Sequence, residues 1–179
     1  MRQALKVHPD SLYSAVTQIE VEVMRPCADS LILSYLVTGR IGDLHIPPAV
    51  AAARADELWQ NTCFEAFVRL SHGPDYYEFN FAPSTQWAAY RFDSYRSGMR
   101  VATEISAPRI EVRTGQGCYR LQASLKIDQM SNLPIDRSCQ IGLAAVIEET
   151  SGHKTFWALA HPRGKADFHH SDCFALEIA

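Results

Sequence analysis

The chain has 179 residues, 47% of them hydrophobic and 21% charged, with a formal net charge of -3. A chain of about this length buries roughly two thirds of its unfolded surface without staples, so a single globular domain spanning 1–179 is expected and disorder is excluded. The 17 Lys and Arg residues are scattered, which excludes a basic patch for nucleic acid, and no window approaches the ~18 apolar residues of a membrane span.

The N-terminal stretch MRQALKVHPDSLYSAV lacks the unbroken apolar region of a secretory signal, so a cytoplasmic protein is expected. Five cysteines, Cys27, Cys63, Cys118, Cys139 and Cys173, form no CxxC pair. Their odd number argues for reduced, packed thiols over a disulfide framework or a zinc ribbon.

Period-two alternation dominates the chain. VEVMRP at 21–26 and LILSYLVTG at 31–39 predict two strands, the second apolar enough to be central. RIGDLHIPPAVAAARADEL at 40–58 contains Pro47 and Pro48 and then an alanine-rich run without a wide apolar stripe, which reads as a loop with a short helix. TCFEAFVRL at 62–70, YYEFNFA at 76–82 and QWAAYRFD at 86–93 follow with short turn-like links, predicting an antiparallel meander. RIEVRT at 109–114 and CYRLQASLKI at 118–127 flank TGQG, a hairpin signal. CQIGLAAVIEE at 139–149, KTFWALA at 154–160 and CFALEIA at 173–179 complete about ten strands. Many short strands and few helix signals favour a β-sandwich, with a closed barrel as the alternative.

Alternation sorts the meander into two faces. Phe64, Ala66, Val68, Tyr77, Phe79 and Phe81 read as core, opposite Cys63, Glu65, Phe67, Arg69, Tyr76, Glu78 and Asn80. On the third strand Trp87, Ala89 and Arg91 are expected on the polar face, with Tyr90 and Phe92 in the core. Carboxylates, an amide, a guanidinium and flat rings on one surface suit a sugar, whose hydroxyls need directional donors and acceptors and whose C–H faces stack on rings. Solvation of an outer sheet face is the plainer alternative.

LWQNTCFEAFV, YYEFNFAPSTQWAAYRFDSYR and FWALAHPRGKADFHH resemble the bacterial DOMON-like domain family, related to family 9 carbohydrate-binding modules, over about residues 20–179. The resemblance implies an immunoglobulin-like antiparallel β-sandwich binding a sugar or haem on one sheet. In the sugar-binding modules, two tryptophans hold a sugar end beside an acidic residue and an arginine. The order Trp59, Glu65, Arg91 or Arg96, Trp157 matches that arrangement. The expected ligand contacts are therefore Trp59, Glu65, Asn80, Trp87, Arg91, Arg96 and Trp157, in a non-catalytic module for a saccharide or other small molecule.

The loop HPRGKADFHHSD at 161–172 carries metal-ligand residue types, but adjacent His169 and His170 would point apart if extended. A folded turn in which His161 and Asp167 bond backbone groups is expected instead. No cofactor is required. The resemblance admits calcium, although no EF-hand-like loop is present, and haem, for which His161, Met99 and Met130 are the candidate axial residues. GxSxG, HExxH and phosphate-binding glycine loops are absent. Glu65 and Glu78 are the one pair of carboxylates that could serve a glycosidase, and Cys63 would need a histidine partner to act as a nucleophile. A sugar-processing enzyme and a protein-interaction module stay as alternatives. Oligomeric state is not set by the sequence.

Overall fold

In the computed structural model, residues 1–11, 14–70, 73–130 and 138–178 are described. They form twelve strands: β1 (Arg2–Val7), β2 (Val16–Cys27), β3 (Ser30–Gly39), β4 (Cys63–Leu70), β5 (Tyr76–Phe81), β6 (Trp87–Phe92), β7 (Arg100–Val101), β8 (Arg109–Gly115), β9 (Cys118–Lys126), β10 (Cys139–Glu148), β11 (Lys154–Ala158) and β12 (Leu176–Ile178). Among the described residues the helical content is three 3-10 turns of three residues each. Among the described residues, no helix is long and apolar enough to cross a membrane. All ten expected strands are present, joined by β1 and the short β7.

Every strand pairing is antiparallel, and the path runs β7-β6-β5-β4-β10-β11-β1-β2-β3-β9-β8, with β12 added to β10. The sheet is thus continuous, and β1 is the strand that joins its two halves. The halves curl to face each other. Tyr35 on β3 donates its hydroxyl hydrogen to the backbone carbonyl of Glu65 on β4 over 2.8 Å. The Tyr35 and Phe64 rings lie 5.1 Å apart, and Phe64 stacks with Tyr119 at 6.2 Å.

Between the halves lies the main core, with Ile19, Val21, Leu33 and Leu121 from one side and Phe64, Phe79, Phe81 and Ile141 from the other. Burying each of these large side chains stabilises the fold by about 1.5–3 kcal/mol relative to exposure. Met130 is part of this core, a packing role typical of methionine. Pro26 sits where the β2–β3 register shifts, as a residue without an N–H must in a paired strand. Gly117 has φ 70° in the turn after β8, a conformation costly for a residue with a Cβ.

The helix expected within 40–58 does not form over the alanine-rich run. Ala53 accepts from the backbone N–H of Trp87 at 3.1 Å, and Ala55 donates to the Trp87 carbonyl at 2.9 Å. A run without an apolar stripe gains little from helix packing, and here it satisfies its backbone on β6. All five cysteines are unpaired thiols.

Candidate functional site

The outer face of β4, β5, β6 and β10 is not solvated as an uncovered sheet would be. Segment 159–175 and the turn after β6 lie over it, closing a second cluster that includes Phe67, Tyr76, Tyr90, Phe92, Val146, Phe168 and Phe174. Small residues make room for this cover. Gly142 and Ala144 oppose Phe67 and Glu65 on β4, and a Cβ on Gly142 would stand 3.1 Å from the carbonyl oxygen of Cys173. Beneath the cover is a cavity of about 350 Å³ lined by Trp59, Glu65, Glu78, Phe92, Arg96, Met99, Val146, Phe156, Ala166, Phe168 and His169. That is the room of about a dozen waters, enough for a terminal sugar ring.

Pairing explains how the polar groups meet. Glu65 is opposite Asn80, and Phe67 is opposite Glu78, so the two carboxyls are diagonal neighbours on one face. Glu65 is 3% exposed, Glu78 4% and Asn80 0%. Oε1 of Glu65 is buried without a hydrogen-bond partner. Asn80 donates from Nδ2 to Oε1 of Glu78 at 2.8 Å and accepts from Sγ of Cys63 at 3.5 Å. Burial, then the charge of Glu78, drives the Glu65 carboxyl well above its ordinary range. Burial likewise raises Glu78 to about 7, opposed by the Asn80 hydrogen bond and the Arg96 charge. Like charges in one low-dielectric site disfavour double ionisation, so the pair retains a proton near neutrality. Burial, then the charges of Glu65 and Glu78, pushes the Cys63 thiol well above its usual value, which keeps it protonated and a poor nucleophile.

The cover is tied down by a compact network. His169 bonds through Nδ1 to the Tyr76 hydroxyl at 2.8 Å, and that hydroxyl accepts the backbone N–H of Arg96 at 3.2 Å. Burial and the Arg96 charge lower His169 to about 4. Its Nε2 lies 3.7 Å from Oε2 of Glu78, too far for a hydrogen bond. Asp167 accepts from Nε and Nη2 of Arg96 at 3.2 and 2.7 Å and from the Tyr95 hydroxyl. Arg96 itself has φ 52°, an uncommon conformation for a residue with a side chain.

Four of the seven expected contacts meet here. Trp59, in the 3-10 turn Leu58–Gln60 just before β4, walls the cavity and meets Tyr90 edge-on at 5.8 Å. Glu65 and Arg96 also line it, and Asn80 lies beneath, holding Glu78.

Trp87, Arg91 and Trp157 are corrected: they are on the opposite face. Trp87 pairs with Phe81 and joins the main core, and Arg91 pairs with Tyr77 and bonds Asp75 at 3.4 Å. Trp157 is in the same core and donates Nε1–H to Thr155 at 2.9 Å. The expected core residues Tyr90 and Phe92 are on the site face instead. The register after the 82–86 turn causes the exchange on β6, because a one-residue change of register inverts both faces of a strand. Phe156, opposite Val146, stands on the site face where Trp157 was expected.

Alternation along β5 already exposed Glu78. Phe156, Phe168 and His169 carried no comparable signal because a loop and a strand-parity choice bring them in. In the 161–172 turn, Asp167 accepts from the backbone N–H of His169 at 3.2 Å and His161 bonds the Lys6 carbonyl at 2.8 Å. Among the described residues, no group of three or more His, Cys, Asp or Glu is placed to hold a metal ion. The candidate haem ligands are dispersed, with Met99 at the cavity, Met130 in the main core and His161 against β1.

No family model and no curated protein matches the chain. Solved structures do. The fold is similar to that of a protein from Bacteroides uniformis named as a candidate carbohydrate-binding protein, with a TM-score of 0.71 and 14% identity over 97% of this chain and 83% of that one. It is also similar to a family 9 carbohydrate-binding module from Caldicellulosiruptor kristjanssonii in complex with cellotriose, with a TM-score of 0.54 and 12% identity over 92% of this chain and 74% of that one. At these identities the likeness is one of fold.

Proposed function

We propose that the protein is a non-catalytic binding module that holds a saccharide in the cavity between Trp59 and the Glu65–Glu78 carboxyls. The observation that carries this reading is the Oε1 atom of Glu65, buried without a partner in the wall of a 350 Å³ cavity. Leaving such an acceptor unpaired costs about 1–3 kcal/mol, which a ligand donor would recover. A sugar hydroxyl is a suitable donor, and Trp59, Phe92, Phe156 and Phe168 offer apolar surfaces to C–H faces.

Support comes from the structural neighbours, one named for carbohydrate binding and one holding cellotriose. The facing halves of the curled sheet are read here as the two layers of a DOMON-like sandwich. A single tryptophan at the cavity, in place of two, favours recognition dominated by hydrogen bonds over a two-sided aromatic clamp. A glycan array followed by calorimetric titration tests the reading. Binding of at least one saccharide, weakened by Trp59→Ala, is the expected result. Failure of every saccharide to bind a folded protein would overturn it.

A further inference from the structure

We propose that the cavity takes a ligand bearing a primary ammonium group, held between the carboxyl groups of Glu65 and Glu78. Within the saccharide reading, on which this identification of the sugar class rests, that ligand is an amino sugar.

Two carboxyls share a face buried to within a few percent of complete exclusion from water, and Oε1 of Glu65 accepts nothing. Oε2 of Glu78 faces Nε2 of His169 at a non-bonding 3.7 Å. Among the described residues, neither carboxyl has a lysine or arginine in salt-bridge contact. The nearest guanidinium, Arg96, is committed to Asp167 through two hydrogen bonds, and Arg91 is on the other sheet face with Asp75.

A neutral hydroxyl can satisfy an acceptor but brings no charge to compensate a carboxylate, so it leaves the pair protonated. An ammonium group brings three N–H donors and the compensating charge together, displacing the proton otherwise retained by the pair. The walls agree, since a cation is attracted to the faces of aromatic rings, and Trp59, Phe92, Phe156 and Phe168 supply four rings. A divalent cation fits less well. Calcium needs six to eight oxygen ligands, whereas the site offers the two carboxyls, with the Asn80 carbonyl engaged by Cys63. The other titratable groups packed here are Cys63, Tyr76 and Tyr90 from the strands and His169, Asp167 and Tyr95 from the cover.

Calorimetric titration of the full chain at pH 6 tests the proposal with glucosamine, galactosamine and mannosamine, their parent hexoses and their N-acetyl derivatives. Cyclohexylamine and cyclohexanol provide a pair free of sugar stereochemistry. At least one amine should bind roughly tenfold or more tighter than its parent alcohol. Its apparent enthalpy should vary with the ionisation enthalpy of the buffer, because a proton leaves as the ammonium enters. Glu65→Gln should weaken the amine more than the alcohol. Hexoses binding as tightly as their amines would overturn the ammonium proposal and leave the saccharide reading standing. A preference for cyclohexylamine with no sugar bound would uphold the ammonium site and overturn the saccharide reading. No binding by any compound would overturn the ammonium proposal, with the glycan array deciding the saccharide reading separately.

Discussion

Asn80 donates its amide hydrogen to Oε1 of Glu78 over 2.8 Å while its carbonyl accepts the Cys63 thiol at 3.5 Å. The two contacts set the orientation of the amide, since a flipped amide would face a carboxylate with its carbonyl. The Glu78 carboxyl is thereby anchored through one oxygen, and Oε2 is left toward His169 and the cavity. Glu65, across the strand pair from Asn80, has no such anchor. One carboxyl is positioned by the amide, and the other keeps a buried oxygen without a hydrogen-bond partner.

The first prediction separates ligand contact from structural support at Glu65. Glu65→Gln should weaken saccharide binding by up to about tenfold, the worth of a hydrogen bond to a neutral carboxyl of about 0.5–1.5 kcal/mol. Trp59→Ala should lose a comparable factor. Because Arg91 is on the other face, Glu65→Gln breaks no buried ion pair, and its melting temperature should stay at or above that of the parent. A fall of several degrees would show that Glu65 supports the fold instead.

Trp157 and Trp87 should behave in the opposite way. Trp157→Ala empties part of the main core and is expected to cost about 3–5 kcal/mol, lowering the melting temperature by roughly 10 °C. Its affinity, measured at a temperature where the variant is folded, should match the parent. Trp87→Ala should destabilise in the same direction. Selective loss of affinity in Trp157→Ala at unchanged stability would return that residue to the binding site.

Asp167 joins Arg96, Tyr95 and the backbone of His169. Asp167→Ala should loosen the cover, so affinity should fall and limited proteolysis should cut faster between 159 and 170. The sheet itself should keep its circular dichroism spectrum. Unchanged affinity together with unchanged proteolysis would mean that the cover holds without this residue.

Glu78 and His169 contribute opposite slopes to the pH dependence of stability, and Glu65, also raised, adds to that of Glu78. Below the ordinary carboxylate value of 4.5, Glu78 is protonated whether folded or unfolded. From there up to about 7 the unfolded chain ionises first, so the fold loses stability as pH rises, and above 7 the loss is complete. His169, lowered from 6.5 to about 4, has the reverse slope: the fold loses stability as pH falls through that window. The two oppose each other between about 4.5 and 6.5. Glu78→Gln removes the first slope, so its melting temperature relative to the parent should climb from pH 4 to pH 8, by the equivalent of a few kcal/mol at most. A difference that stays constant across thermal melts at pH 4, 6 and 8 would show Glu78 titrating as an exposed carboxylate does.

Alternation within each strand determined a large part of this protein. It located all ten expected strands, and on β4 and β5 it sorted Glu65, Glu78 and Asn80 from Phe64, Phe79 and Phe81 correctly, because there one parity is plainly apolar. Trp59 and Arg96, which lie outside the strands, were marked by the family resemblance and not by alternation. On β6 both parities carry aromatics, Trp87 against Tyr90 and Phe92, so composition offers no preference. The tertiary structure decided that face through the 82–86 turn, whose length pairs Phe81 with Trp87. Packing between β10 and β11 likewise places Phe156 at the site and Trp157 in the core. Enclosure was beyond local pattern altogether. Segment 159–175 returns over the sheet, where Gly142 and Ala144 leave space for it, covering the polar face and burying the carboxyls, which raises them above the values the sequence alone would give.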